Sequence, residues 1–350
     1  MTDPCQDGLT APRLGQPAHQ SLLCFENVRF SYAQGLISSL FQPPAGAVVE
    51  DVSFAIHRGD SVGLIGESGS GKTTVARLAL DLERPTEGTV SVEGVALPSV
   101  PRRRFRQLIQ PVFQDPLDAL DPRMRIGDQV AEPLIVQRLC PRAEARAEAL
   151  SALDRVGLDG DIADRLPHQI SGGQAQRVVI ARALVLKPAL LICDEPVSAL
   201  DMSVQVQILN LLKDLKSSRG LTYLFISHDL RAVSYLCRHL MVIYRGAIVE
   251  RGSTAKILAA PRHPYTRSLL AAVPKAAGEA LSALRPADRE PPYRGTPDGP
   301  GCIYARRCTI ARQSCLSERP ALQDLAEDHA VACPIAREDM ANSAAAGAVP

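Results

Sequence analysis

The 350-residue chain contains no tryptophan, and Phe and Tyr together supply only 14 positions. It has no excess of either charge: 39 Lys+Arg stand against 38 Asp+Glu, a formal net charge of +1. A protein devoted to holding nucleic acid normally carries a clear basic excess, so that class is disfavoured. No window reaches the ~18–20 uninterrupted apolar residues of a membrane-crossing helix. Residues 1–20 are polar and lack the basic-then-apolar profile of a secretory signal. These absences lead to the expectation of a soluble cytoplasmic chain that meets any membrane through a partner. The nine cysteines are an odd number over a long chain, unlike the dense, even set of a small disulfide-stapled domain.

What is present is an apolar content of 46%, enough for one large core or two modest ones. Residues 1–20 are expected to form a disordered lead. Over 21–270, β-type apolar runs alternate with helical patterns bounded by Gly and Pro, which predicts an α/β domain with a largely parallel sheet. Strands are predicted at Ser61–Ile65, Leu190–Asp194 and Tyr223–Ser227, the first running into the Gly66 loop and the other two ending in a polar residue, where open α/β sheets place ligands. A helix is predicted over Ser203–Ser218, with Val204, Ile208, Leu211, Leu212 and Leu215 on one face and Gly220 as its stop. The Ala-, Arg- and Glu-rich stretch over about 115–170 interrupts the alternation and reads as an inserted helical subdomain. Residues 271–300, rich in proline, read as a linker, 301–335 as a cysteine-bearing segment and 336–350 as a mobile tail. The basic run at Arg102–Arg106 reads as a solvated helix face.

Two elements carry phosphate chemistry. Gly66, Glu67, Ser68, Gly69, Ser70, Gly71, Lys72 and Thr73 fit G-x-x-x-x-G-K-S/T, preceded by a strand and followed by a helical run, Val75–Leu82. Glycines there let backbone N–H groups close around the β-phosphate at a positive helix end. Lys72 then reaches the β- and γ-phosphates and the Thr73 hydroxyl ligates Mg²⁺, with Thr74 beside it in the ATP-binding set. The apolar strand ending at Asp194 and Glu195 supplies the second element: Asp194 to hold Mg²⁺, Glu195 to deprotonate water in line with the γ-phosphate. Ser171-Gly172-Gly173, ahead of a helical run at Gln174–Leu186, is a second anion-binding helix end, one more than a single ATP needs.

Ile170-Ser171-Gly172-Gly173-Gln174 resembles the signature of ATP-binding-cassette (ABC) ATPases, which usually begins with Leu. The order agrees too: phosphate loop, Gln114, signature, Asp194-Glu195, Ser198 to Asp201, Ser227-His228-Asp229. The resemblance implies an α/β P-loop NTPase cassette with a RecA-like core, an antiparallel β subdomain, an inserted helical subdomain and a small cysteine-bearing C-terminal extension. It implies head-to-tail pairing, in which Ser171, Gly172, Gly173, Gln174 and Asp201 of one subunit close on the ATP of the other. It also implies that Gln114 senses Mg²⁺, that His228 bonds the γ-phosphate, and that Tyr32, or else Phe41, stacks on adenine.

His263-Pro264-Tyr265, with the run through Leu120-Asp121-Pro122-Arg123, resembles the peptide- and nickel-importer branch. That resemblance implies ATP-driven uptake of oligopeptides or dipeptides at the cytoplasmic face of an inner membrane. The expected partners are a second ATPase subunit, two permeases and an external solute-binding protein, with no nucleic acid. Nickel chelates, opines or another small solute remain open, as does a soluble cassette ATPase of DNA repair or translation. Cys302, Cys308, Cys315 and Cys333, spaced by five, six and seventeen residues, resemble the four-cysteine pattern ending this branch. Some members carry a 4Fe–4S cluster there. Four thiolates satisfy such a cluster or Zn²⁺, and four reduced thiols packing a small module are the alternative.

Overall fold

The structure, a computed structural model, describes residues 21–32, 47–272, 300–326 and 328–338. The lead, Phe41, residues 273–299 and the tail from 339 lie outside the described residues.

Alternating buried and exposed positions build a half-exposed antiparallel sheet near the N-terminus. Strands β1 (Leu23–Phe30) and β2 (Val49–Ile56) pair antiparallel. Strand β3 (Ser61–Ile65), buried throughout, leads through the glycine loop into α1 (Lys72–Ala79). Strands β4 (Glu87–Val92) and β5 (Val95–Ala96) complete the small sheet in the order β2-β1-β4-β5. Helix α2 (Arg102–Leu108) is the basic run; its four arginines are exposed and Phe105 is buried. After β6 (Ile109–Val112) come α3 (Ile126–Val136), α4 (Arg142–Arg155) and α5 (Gly172–Leu184), which pack on one another. Strand and helix then alternate: β7 (Leu190–Asp194), α6 (Met202–Arg219), β8 (Thr222–Ile226), α7 (Leu230–Leu236), β9 (His239–Tyr244). The chain continues through β10 (Ala247–Ser253), α8 (Thr254–Ala259), α9 (Pro264–Ala271), α10 (Gln313–Ser317), β11 (Gln323–Ala326) and β12 (His329–Val331).

The main sheet has the order β11-β12-β10-β9-β3-β8-β7-β6. Strands β9, β3, β8, β7 and β6 run parallel, the rest antiparallel. Its central strands face two cores in alternation. On β7, Leu191 and Cys193 join the core shared with the helices, whereas Leu190 and Ile192 join the core under the small sheet. Burial on both faces explains why these strands read as unbroken apolar runs. Strand β8 ends one residue before the predicted Ser227, because the Ser227 hydroxyl turns to accept the Asp229 amide. Helix α6 extends one residue beyond the prediction at each end. Asp201 caps its start, accepting from the Val204 amide at 3.1 Å, and Gly220 at φ 63° closes it in the left-handed region.

The C-terminal segment is joined to the cassette through the main sheet. The β11–β12 hairpin lengthens that sheet at β10. Beneath it lies Glu250, fully buried on β10. Its Oε1 accepts the Arg262 amide at 2.8 Å and meets His329 Nε2 at 2.7 Å; its Oε2 accepts the His263 amide at 2.9 Å. Burial alone would raise this carboxyl, but the bonds from His329 and the two amides outweigh it and hold the pKa below 4.5. Ionised Glu250 therefore stabilises the fold fully above that pH, and the contribution is lost as pH falls through the lower folded value. Acid unfolding of the wild type is expected to steepen below about pH 4.5 relative to Glu250→Gln. Identical pH slopes for the two proteins would contradict the assignment.

Candidate active site

Parallel strands β3, β8, β7 and β6 end side by side, and their register brings the motifs to one edge: Leu64 pairs with Ile226, Asp194 with Ile226, and Val112 with Cys193. The phosphate loop, Ser227-His228, Asp194-Glu195 and Gln114 all follow directly from these ends. The loop needs its glycines. A Cβ on Gly66 would stand 2.3 Å from the Ile243 carbonyl oxygen, and Gly71, at φ 102°, starts α1 from the left-handed region. Lys72, nearly buried, folds its ammonium onto the loop, donating to the Gly66 and Glu67 carbonyls at 2.8 and 2.9 Å. Burial lowers its pKa, opposed by the charges of Glu195, Asp194 and Glu67.

Asp194 ends β7 largely buried. Burial raises its pKa, while a hydrogen bond from the Thr73 hydroxyl and the charges of Lys72 and Arg77 lower it. Among the described residues its Oδ1 is buried without a hydrogen-bond partner, as is Ser70 Oγ within the loop. Glu195 turns the chain at φ 49°, in the left-handed region that costs a non-glycine residue about 1–3 kcal/mol. The turn is held by its amide donating to the Ile226 carbonyl at 2.9 Å, and Glu195 Oε2 meets His228 Nδ1 at 3.0 Å. Gln114 is exposed beyond β6.

Ser171 caps α5 reciprocally: its hydroxyl accepts the Gln174 amide at 3.3 Å, and the Gln174 side chain accepts the Ser171 amide at 2.9 Å. A Cβ on Gly173 would meet Val204 Cγ1 at 2.6 Å, so the signature lies against the start of α6, beside Asp201. Bonds from the Ser203 hydroxyl and the Val204 amide hold Asp201 below the usual carboxylate range. Ser171, Gly172 and Asp201 are exposed, and their hydrogen bonds stay local rather than reaching the phosphate loop of the same chain. Tyr32 is 44% exposed and packs edge-on against Phe30, ring centroids 4.9 Å apart.

The ABC transporter profile matches residues 49–198, and the profile of the oligopeptide/dipeptide transporter C-terminal region matches 249–315. A putative peptide import ATP-binding protein of Brucella ovis is 44% identical over 289 residues, 82% of this chain and 91% of that protein. The chain belongs to the ABC transporter family. The dipeptide transport ATP-binding protein DppF of Haemophilus influenzae is 39% identical over 301 residues, 83% of this chain and 90% of that one. Among solved structures, the dimeric, post-hydrolysis ATP-binding cassette MJ0796 bound to ADP and Pi aligns with a TM-score of 0.59. It is 29% identical and covers 66% of this chain and 98% of its own.

As an ABC cassette the chain is an ATPase that uses ATP and Mg²⁺. The unpartnered Asp194 Oδ1, beside the Thr73 hydroxyl, fits a divalent cation. The four C-terminal cysteines are free and lie in or against apolar packing. Cys315 and Cys333 pack in a small apolar core with Ala305, Val331 and Ile335, with Cys302 against it. Burial and the charge of neighbouring thiols push the Cys302, Cys308 and Cys333 thiols up. Among the described residues no group of three or more His, Cys, Asp or Glu is arranged to hold a metal ion. The described residues therefore give the 4Fe–4S and zinc expectations no support.

Two residues outside the sequence-derived site reach the phosphate loop. The Tyr265 hydroxyl accepts the Glu67 amide at 2.7 Å, and Arg307 grips the Glu67 carboxylate through two nitrogens at 2.9 and 3.1 Å. Tyr265 lay within the His-Pro-Tyr segment, but its target is 198 residues away; Arg307 carries no local signal at all.

Proposed function

We propose that the chain is the ATP-hydrolysing subunit of an importer that drives oligopeptides or dipeptides across an inner membrane from its cytoplasmic face. The observation that carries the reading is the convergence of Lys72, Asp194, Glu195, His228 and Gln114 at adjacent strand ends, in a chain whose 249–315 region matches the oligopeptide/dipeptide transporter profile. Among the described residues no helix is long and apolar enough to cross a membrane; in this reading two permeases supply the path.

In this reading backbone N–H groups of Gly69 to Thr73 receive the β-phosphate, and Lys72 moves its ammonium from the loop carbonyls onto phosphate oxygens. Thr73, Asp194 and Gln114 would hold Mg²⁺, which would supply positive charge against the phosphate oxygens. Glu195 takes a proton from water as its oxygen bonds the γ-phosphorus and the bond to the ADP oxygen breaks. With both ring nitrogens protonated, His228 donates from Nδ1 to Glu195 Oε2 and from Nε2 to a γ-phosphate oxygen. Tyr32 stacks on adenine. Ser171 to Gln174 and Asp201 serve the ATP of a second ATPase subunit, in keeping with an exposed helix end whose side-chain hydrogen bonds stay local. Exposed Phe113 and Leu117 flank Gln114 and give a permease an apolar seat whose movement Gln114 relays.

Reconstitution tests the reading. Proteoliposomes holding this chain, its paired ATPase and the permeases are expected to take up labelled dipeptide or oligopeptide only with loaded binding protein outside and MgATP inside. Uptake that ignores ATP, or a transporter that carries no peptide, would contradict it.

A further inference from the structure

Glu67 is the second residue of the phosphate loop, and each of its polar groups is held by a different part of the chain. Its N–H donates to the Tyr265 hydroxyl at 2.7 Å, and its carbonyl accepts the Lys72 ammonium at 2.9 Å. Its carboxylate takes two hydrogen bonds from the Arg307 guanidinium, the planar fork that carboxylates bind best.

The two outer holders are themselves fixed. Tyr265 is fully buried near the start of α9, whose cap, His263, accepts the Tyr265 amide at 3.1 Å and donates its own amide to Glu250. Tyr304 packs on both Tyr244 and Tyr265, at 5.2 and 5.6 Å, and the Arg307 guanidinium lies 5.9 Å from the Tyr244 and Tyr304 rings. A carboxylate at the mouth of a polyphosphate cradle repels its ligand unless a cation covers it. Arg307 is the cation that covers this one.

We propose that Arg307 and Tyr265 are positioning residues for the phosphate loop, through which the C-terminal segment sets ATP affinity: Tyr265 orients the Glu67 peptide and Arg307 screens the Glu67 carboxylate from incoming phosphate. The inference rests on the reading that ATP occupies this loop.

Equilibrium binding of labelled MgATP to the full-length chain tests it, alongside ATPase kinetics in the assembled transporter. The pair is partly exposed, with side chains at 35% and 42% accessibility, so solvent screening limits the effect. Arg307→Ala is expected to weaken MgATP affinity about 3–10-fold and to raise KM while kcat at saturating ATP changes less than about twofold. Arg307→Ala combined with Glu67→Gln is expected to recover affinity to within about twofold of wild type, because the uncovered charge is gone. Tyr265→Phe, which removes one hydroxyl and keeps the ring, is expected to weaken affinity about 2–5-fold. Wild-type affinity in Arg307→Ala would overturn the inference. So would a double variant as weak as the single one, since Arg307 would then act only through the fold. A wild-type chain that binds no MgATP would instead overturn the ATP reading, and the inference with it.

Discussion

Glu195→Gln is expected to lower the maximal rate of ATP hydrolysis by about 10²–10⁴-fold while MgATP binding persists. The amide keeps the shape of the carboxylate and can still meet His228 Nδ1, now at a carbonyl oxygen, so the 3.0 Å contact and the turn at Glu195 survive. What disappears is the group able to accept a proton from water, an interaction made only as the reaction proceeds, so kcat and kcat/KM fall together. The His228 contact matters because a carboxylate on a strained turn would otherwise swing among rotamers. Single-turnover hydrolysis with prebound ATP, run beside binding on the same preparation, separates the two effects. Near-normal turnover would move the base to another residue.

Lys72→Ala is expected to fail one step earlier, losing about 10–100-fold in ATP affinity, the range of a charge-assisted hydrogen bond of 1.5–3 kcal/mol. Its ammonium is already desolvated and spans the loop between the Gly66 and Glu67 carbonyls. Arriving phosphate offers it a full negative charge in place of two neutral acceptors, so removing it costs binding first. Lys72→Arg is not expected to restore affinity, because a planar fork cannot occupy the compact site between those carbonyls. Equilibrium dialysis with labelled ATP reads the loss directly. Unchanged affinity in Lys72→Ala would contradict the assigned role.

Much of the cassette could be read from the residues because its physics is local. The phosphate loop is legible because backbone closure around an anion demands glycine at fixed spacing, as the near-contact of Gly66 with Ile243 illustrates. Strands β3 and β7 match their predicted limits because burial on both faces requires an unbroken apolar run. The last two strands offered no such pattern. Four residues in β11 and three in β12 are too few for alternation, and Gln323, Asp324 and His329 argue against a strand when read alone. Arg307 was invisible for a different reason: an ion pair formed across 240 residues leaves no trace in the spacing of either partner. The spacing of the four cysteines does not distinguish ligands from packing residues; Cys315 and Cys333 contribute small apolar surface to a short core with Val331 and Ile335.

The central claim is that each ATP lies between the phosphate loop of one subunit and the signature of another. Ser171→Arg, in the assembled transporter, tests it most directly, because Ser171 is exposed and makes no bond to its own loop. The account predicts near wild-type MgATP affinity in the isolated full-length chain together with turnover in the transporter reduced at least about tenfold, since a bulky cation would block closure over the opposed nucleotide. Undiminished turnover, or a loss of ATP affinity in the isolated chain equal to the loss of turnover, would contradict it.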